Sequence, residues 1–357
     1  MKGFAIAEKG FEDVSVLEVK ELIGAKGKAQ HNVITFTAEQ KDLCLLCYKS
    51  QSLRRAGKLL ALFEFEDVSD IEKEAQKIAF DMTKTFTVEC ERNGEHTFKS
   101  VDVEEKISTI IKQKTKAEHT YKNPDWFVYV QIEQNTCMIG IDFCGFDLSQ
   151  RDYKIFAHPA SLKGTIAYGI LRFVGYTPDK FLLNTWSKSG VIEIEAAFFA
   201  SGKAVNYYRK DSLAFWKMPK YSDTDKSTFF DDVLKEKKLK IHGIHTDLRH
   251  VTAGKKNAKI AGVEKMITFS RIANDWLDVK FREGEVDILV GYAAGSEVEQ
   301  FKEFFHQAEY MAKEAVVITL NKTVEEEAKR KGFVLKEKRV IERGQSKLVV
   351  QVYHKGK

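Results

Sequence analysis

The stretch F-L-L-N-T-W-S-K-S-G-V-I-E-I-E-A-A, Phe181 to Ala197, runs from an apolar segment through a polar, glycine-containing turn into a second apolar pattern. Phe181–Leu183 reads as a buried strand. Ile192–Phe199 reads as a helix whose Ile192, Ile194, Ala196 and Ala197 pack a core. The same unit recurs downstream. Strands are expected at Ile241, Ile267–Phe269, Asp287–Val290 and Ala315–Leu320, with helices at Asp247–Ala261, Val298–Glu314 and Val324–Lys331. Alternation of this kind builds a parallel, doubly wound sheet. Gly332–Val340 and Lys347–Tyr353 close it as an antiparallel hairpin around Glu342-Arg343-Gly344.

Upstream the pattern is different. Strands at Phe4–Ala7, Val33–Phe36 and Leu59–Phe65 alternate with helices around Val14–Ile23 and Leu43–Tyr48, which is a small α+β unit. A second such unit follows, with helices at Ile71–Phe80 and Val103–Ile111 and strands at Phe86–Glu91, Phe127–Ile132 and Met138–Asp142. The expected fold class is therefore α/β: an α+β N-terminal region, then a doubly wound sheet. The 357 residues fit two or three domains. The expected boundaries are 1–65, 66–150, a linker at 151–160, and 161–357.

Residues 1–150 carry a net charge of −5 and residues 151–357 a net +10. The basic half suits a polyanion or is a lysine-rich solvated surface, and charge alone does not choose. Five cysteines make no disulfide framework and point to a reducing compartment. Cys44 and Cys47 form a C-x-x-C inside an apolar helix and read as core residues. His242, His245 and His250 cluster in sequence, but neighbouring strand residues face opposite ways, so no metal is expected. No apolar run approaches ~18 residues, so no membrane partner is expected, and a cytoplasmic location is.

T-F-T-V-E-C-E-R-N-G-E-H-T-F-K-S-V-D-V (Thr85–Val103), K-N-P-D-W-F-V-Y-V (Lys122–Val130) and G-F-D-L-S-Q-R-D-Y-K (Gly145–Lys154) resemble the THUMP domain, an RNA-binding module of tRNA-modifying enzymes. Residues 1–65 are similar to the ferredoxin-like domain that precedes it. H-P-A-S-L-K-G-T-I-A (His158–Ala167), the Phe181–Ala197 stretch and the aromatic insert L-A-F-W-K-M-P-K-Y (Leu213–Tyr221) resemble the Rossmann domain of guanine-N2 methyltransferases, with Gly164 at the usual proline. The resemblance implies tRNA as partner, bound through its 3′ end. It points to Arg92, His96, Ser100, Asn123, Arg151, Tyr153 and Lys163 as RNA contacts.

The family's cofactor and catalytic motifs do not carry over. Asn184 stands where the first strand ends in an acid, Lys188 at the first glycine, and only Ser189-Gly190 remain of the loop. His245 stands for the ribose-binding acid, with Asp247 two residues on. Arg271 or Ile272 replaces the adenine-binding Asp, and Asp275 falls a few residues late. Gly291-Tyr292-Ala293-Ala294-Gly295 replaces the Asn-Pro-Pro-aromatic loop that orients the amine. A lysine beside a sulfonium is repulsive, unless it snorkels away. The expectation is a tRNA-binding adaptor whose methyltransferase-like domain has lost catalysis and holds no cofactor, acting beside an active paralogue or as a homodimer. The alternative is a working guanine-N2 methyltransferase with a divergent S-adenosylmethionine pocket.

Overall fold

In a computed structural model, residues 1–232, 238–293, 300–320, 324–344 and 346–356 are described. They form two units, each with its own sheet.

The first unit comprises Met1–Ala7, Ser15–Leu148 and Asn206–Asp231. Its strands are β1 (Lys2–Ala7), β2 (Lys28–Gln30), β3 (Val33–Thr37), β4 (Leu53–Glu64), β5 (Thr85–Asn93), β6 (Glu118–His119), β7 (Trp126–Glu133) and β8 (Thr136–Asp142). They pair in the order β2-β3-β1-β4-β8-β7-β5-β6, so one sheet takes strands from both N-terminal stretches. The helices are α1 (Glu12–Ile23), whose first turn belongs to the second unit, α2 (Gln40–Lys49), α3 (Val68–Lys77) and α4 (Ser100–Lys114).

Strand β4 begins six residues before the apolar run at Leu59 that signals it. Arg54 and Arg55 hide the start, because a strand with two adjacent cations reads as surface. Arg55 is instead neutralised inside the sheet by Asp142 at 2.6 Å and Glu89 at 2.8 Å. The aromatic insert joins this unit. Ala214 and Phe215 donate their backbone amides to the carbonyls of Cys144 and Phe143, both at 3.1 Å, and Phe215 is fully buried. All five cysteines are buried free thiols, with Cys47 and Cys144 in Sγ–Sγ contact at 3.1 Å.

The second unit comprises Glu8–Val14, Ser149–Val205 and Asp232–Lys357. Its strands are β9 (Leu182–Asn184), β10 (Ile241–His245), β11 (Thr268–Arg271), β12 (Val286–Ala293), β13 (Ala312–Leu320), β14 (Phe333–Arg343) and β15 (Ser346–Lys355). The order is β11-β10-β9-β12-β13-β15-β14. The first five are parallel, and the β14–β15 hairpin closes the sheet antiparallel to β13. The helices are α5 (Gly164–Phe173), α6 (Val191–Ser201), α7 (Leu248–Ala261), α8 (Leu277–Lys280), α9 (Phe301–Met311) and α10 (Glu325–Arg330). One core gathers Ile166, Leu182, Ile194, Ile241, Val290 and Val316, and another gathers Leu183, Leu289, Phe304 and Val317. They are the two opposite sides expected of parallel strands covered on both faces.

This is the doubly wound architecture the alternating pattern implies. Chain order reverses at β9, which lies between β10 and β12. In such sheets ligands bind at the carboxyl ends of the strands beside that switch point. Asn184 ends β9 and Tyr292 lies at the end of β12, so both are placed there. The expected linker at 151–160 is not a free tether. Arg151 and Tyr153 are fully buried in this unit.

Candidate active site

The turn after β9 opens the site. Gly190 takes φ +77°, a conformation that costs a side-chain-bearing residue, and starts α6. A Cβ there would lie 2.9 Å from Phe269 and 3.1 Å from the Gly254 backbone. Asn184, Lys188, Ser189 and Gly190 then line one cavity of about 20 Å³ together with Glu193 and Tyr292. Ser161 also lines it, its hydroxyl against that of Ser189. Four of the five residues assigned to the cofactor loop and strand ends are thus brought together.

His245 is the fifth, and it is not in that cavity. It is buried at the end of β10, packs its ring at a tilt against His250 with centroids 4.3 Å apart, and its Nδ1 accepts the Asp247 amide at 2.9 Å. His250 in turn meets His158 edge-on, with centroids 5.0 Å apart, and hydrogen-bonds through Nδ1 to the Lys188 carbonyl at 3.1 Å. His242 lies apart, bonded to Ser270 Oγ at 2.9 Å, with burial pushing its pKa down to about 4. Among the described residues no group of three or more His, Cys, Asp or Glu could hold a metal ion.

Asp247, two residues beyond His245, stands at the start of α7. It caps α7 and pairs with Arg249 at 2.6 Å, which holds its carboxyl well below the usual range. Arg271 donates to the Thr246 carbonyl at 2.9 Å, Ile272 packs against the core, and Asp275 is exposed. On β12, Gly291 is required by close packing, since a Cβ would come within 2.6 Å of Trp186 and 2.8 Å of Phe304. Tyr292 and Ala293 are buried. Ala294 and Gly295 lie outside the described residues.

Lys188 does not snorkel. It is 7% exposed, its Nζ donates to the Tyr292 carbonyl at 3.1 Å, and the ammonium lies 4.7 Å from the centre of the Tyr292 ring. That geometry anchors the charge on the end of β12.

The motif comparison passes over Glu193. Its carboxylate is fully buried in the first turn of α6 and accepts from Asn184 Nδ2 at 3.1 Å. The Ser187 side chain hydrogen-bonds to the same carboxyl, and Oδ1 of Asn184 has no hydrogen-bond partner. Burial pushes the Glu193 pKa up to about 7. The signal was present in the sequence: two glutamates in an otherwise apolar helix, I-E-I-E, demand a reason for their burial.

The RNA assignments need correction too. Arg151 and Tyr153 cannot touch RNA from where they are. The Arg151 side chain is fully buried, with Nε on Glu195 Oε1 at 2.8 Å, and the Tyr153 hydroxyl donates to the same oxygen at 2.8 Å. Gly164 stands at the family's proline because a Cβ there would run into this pair. Arg92 spends Nη1 on the Gly94 carbonyl and the His96 ring, at 3.2 and 2.8 Å, and His96 reaches the Gln134 carbonyl at 2.7 Å. Asn123 accepts from Lys217 at 2.6 Å. Ser100 opens α4 half-buried. Lys163 keeps a 42% exposed side chain, 3.4 Å from Glu8.

Residues 151–343 match the family described as RMKL-like, methyltransferase domain, and residues 65–142 match the THUMP domain. The tRNA (guanine(6)-N2)-methyltransferase of Archaeoglobus fulgidus is 26% identical over 300 residues, covering 80% of this chain and 72% of that protein. The enzyme of the same name from Methanocaldococcus jannaschii is 27% identical over 308 residues, 81% and 80% of the two chains. The solved structure of SMU.472, a methyltransferase complexed with SAH, aligns with a TM-score of 0.79 at 17% identity over 100% of this chain and 98% of that one.

These findings overturn the expectation of an adaptor with a decayed, cofactor-free site. The relatives are named as methyltransferases, and the aligned fold is one crystallised with SAH. The physical reason lies in the site. Asn184 forms a buried hydrogen-bonded pair with Glu193, and the Lys188 ammonium is held on the Tyr292 carbonyl. Among the described residues no helix is long and apolar enough to cross a membrane. The chain belongs to the RMKL-like methyltransferase family and carries a THUMP domain ahead of its methyltransferase domain.

Proposed function

We propose that the protein is an S-adenosylmethionine-dependent tRNA guanine-N2 methyltransferase that uses a divergent pocket, working in the cytoplasm on tRNA held through its 3′ end. The observation that carries this reading is the cavity at the switch point, where Gly190 opens the helix and Asn184, whose buried Oδ1 has no partner, lines the space. Buried polar atoms are normally satisfied, so an unpaired one at a cavity fits a polar ligand. The names of the two archaeal relatives supply the substrate class.

In this reading Asn184, Ser189, Gly190 and Glu193 hold the cofactor, which when bound supplies an electrophilic methyl group. The chain's own part is to exclude water and fix the loop. Trp186 does so by stacking on Phe304 at 5.6 Å and donating to Gln300 at 3.0 Å. Lys188 ties the turn after β9 to the end of β12 through the Tyr292 carbonyl. That link sets the spacing between the cofactor loop and the place where the base must enter, and positioning of this kind dominates the rate of a displacement.

Residues 1–65 and 66–150 serve tRNA binding, with His96 and Ser100 as contacts, and Lys163 of the second unit is a further contact. Incubation with methyl-labelled S-adenosylmethionine and unmodified tRNA tests the reading. Label recovered as N2-methylguanosine is expected. Absence of label in any nucleoside, across a full set of unmodified tRNAs, would overturn it.

A further inference from the structure

Helix α7 grips the turn after β9 through two successive carbonyls. His250, Gly254 and Asn257 are spaced four and three residues apart on α7, so they share one face of the helix. His250 Nδ1 donates to the Lys188 carbonyl at 3.1 Å, and Asn257 Nδ2 donates to the Ser189 carbonyl at 2.9 Å. Between them Gly254 lets the turn approach, since a Cβ on Gly190 would lie 3.1 Å from the Gly254 backbone. Asn257 has a second hold. Its Oδ1 accepts the Phe156 amide at 3.0 Å, and its Nδ2 donates to the Phe156 carbonyl at 3.1 Å. Both donors and the acceptor of this fully buried side chain are therefore committed to backbone. The two segments it joins both lead to the cavity, where the Ser161 and Ser189 hydroxyls meet.

We propose that Asn257, with His250 beside it, is a positioning residue for methyl transfer: it fixes the peptide planes of the turn after β9 before the methyl donor arrives. This rests on the methyl-transfer reading above. In a trans peptide the C=O and N–H of one plane point opposite ways. The carbonyls of Lys188 and Ser189 are turned to α7, so the N–H groups of Ser189 and Gly190, which share those planes, face away from it. Ser189 and Gly190 line the cavity, whereas Asn257 and His250 are outside its lining and act only through the turn. Without the Asn257 amide the Ser189–Gly190 plane is free to rotate, and the entry segment at Phe156 loses both of its bonds to α7. A ligand then has to order a loop that the wild-type protein presents already ordered, and that ordering lowers affinity.

Calorimetric titration with S-adenosylmethionine tests this on wild type, Asn257→Ala, His250→Ala and His250→Asn, with tRNA affinity measured on the same preparations. Asn257→Ala is expected to weaken S-adenosylmethionine by roughly tenfold or more, and His250→Ala by a few-fold. His250→Asn keeps an N–H donor near the place of Nδ1 and is expected to recover most of the His250→Ala loss. The affinity for tRNA is expected to hold in all three, a separation that general loosening of the fold does not produce. Wild-type S-adenosylmethionine affinity in Asn257→Ala would overturn this inference alone. So would an equal loss of S-adenosylmethionine and tRNA binding. Should Asn257→Ala fail to fold, the His250 pair decides: a loss in His250→Ala restored by His250→Asn supports the inference, and no loss, or one that His250→Asn leaves in place, overturns it. A wild type that does not bind S-adenosylmethionine would overturn the methyl-transfer reading and this inference with it.

Discussion

Two glutamates two residues apart on α6, Glu195 and Glu193, are both fully buried, yet their surroundings are opposite. Glu195 receives Arg151 Nε at 2.8 Å, Arg151 Nη2 at 3.2 Å and the Tyr153 hydroxyl at 2.8 Å. Glu193 receives only uncharged groups, the Asn184 amide at 3.1 Å and the Ser187 side chain. Glu195 is a structural tie between the segment entering the second unit and its central helix. Glu193 is held by uncharged groups, and burial pushes its pKa up to about 7. Burial alone does not fix the charge of a carboxyl group, whereas the charge of its partners does.

Breaking the tie should have the largest effect. Arg151→Ala leaves Glu195 and Tyr153 buried with an unanswered charge, and should destabilise the second unit by about 3–5 kcal/mol in chemical denaturation. A loss under about 1 kcal/mol would erase the distinction between the two glutamates.

Glu193→Gln should act in the opposite direction. The folded state holds the Glu193 proton up to about 7 against 4.5 ordinarily, so wild-type stability from this group falls as pH rises from 4.5 through 7. The variant escapes that fall. It should match wild type near pH 4.5 and exceed it above pH 7 by on the order of 3 kcal/mol or less. Melting curves at both pH values check this, and a variant less stable than wild type at pH 8 would place Glu193 in the same class as Glu195.

Gly190→Ala tests the turn between the strand and these glutamates. The positive φ and the 2.9 Å approach to Phe269 should cost about 1–2 kcal/mol and weaken cofactor binding as the turn shifts. The smallest effect belongs to Lys163. Exposed where Arg151 is buried, it should change tRNA affinity by only a few-fold on substitution to alanine, lower the salt slope by about 1, and leave stability unchanged. Filter binding across a salt series reads this directly.

Much of the architecture was legible because apolar periodicity survives in the core. The parallel strands β9, β12 and β13 and the helices α6 and α7 fall where Leu183, Val290, Val316, Ile194 and Ala258 mark them. What failed were charged residues with inward partners. Arg54 and Arg55 concealed the start of β4. Arg151, which the THUMP resemblance points to as an RNA contact, serves Glu195 instead, because a guanidinium offered to RNA and one buried on a carboxylate look identical in sequence. The site was misread for a related reason. Asn184 and Lys188 were scored as losses one by one, while Glu193, three-dimensionally adjacent to Asn184, stood nine residues away and outside the motif.

The central claim is that this pocket binds a methyl donor. Isothermal titration of the wild-type protein with S-adenosylmethionine at pH 7.5 tests it most directly. The account predicts saturable binding at one site per chain with a dissociation constant on the order of micromolar. No heat of binding at millimolar ligand, from protein shown to be folded, would contradict it.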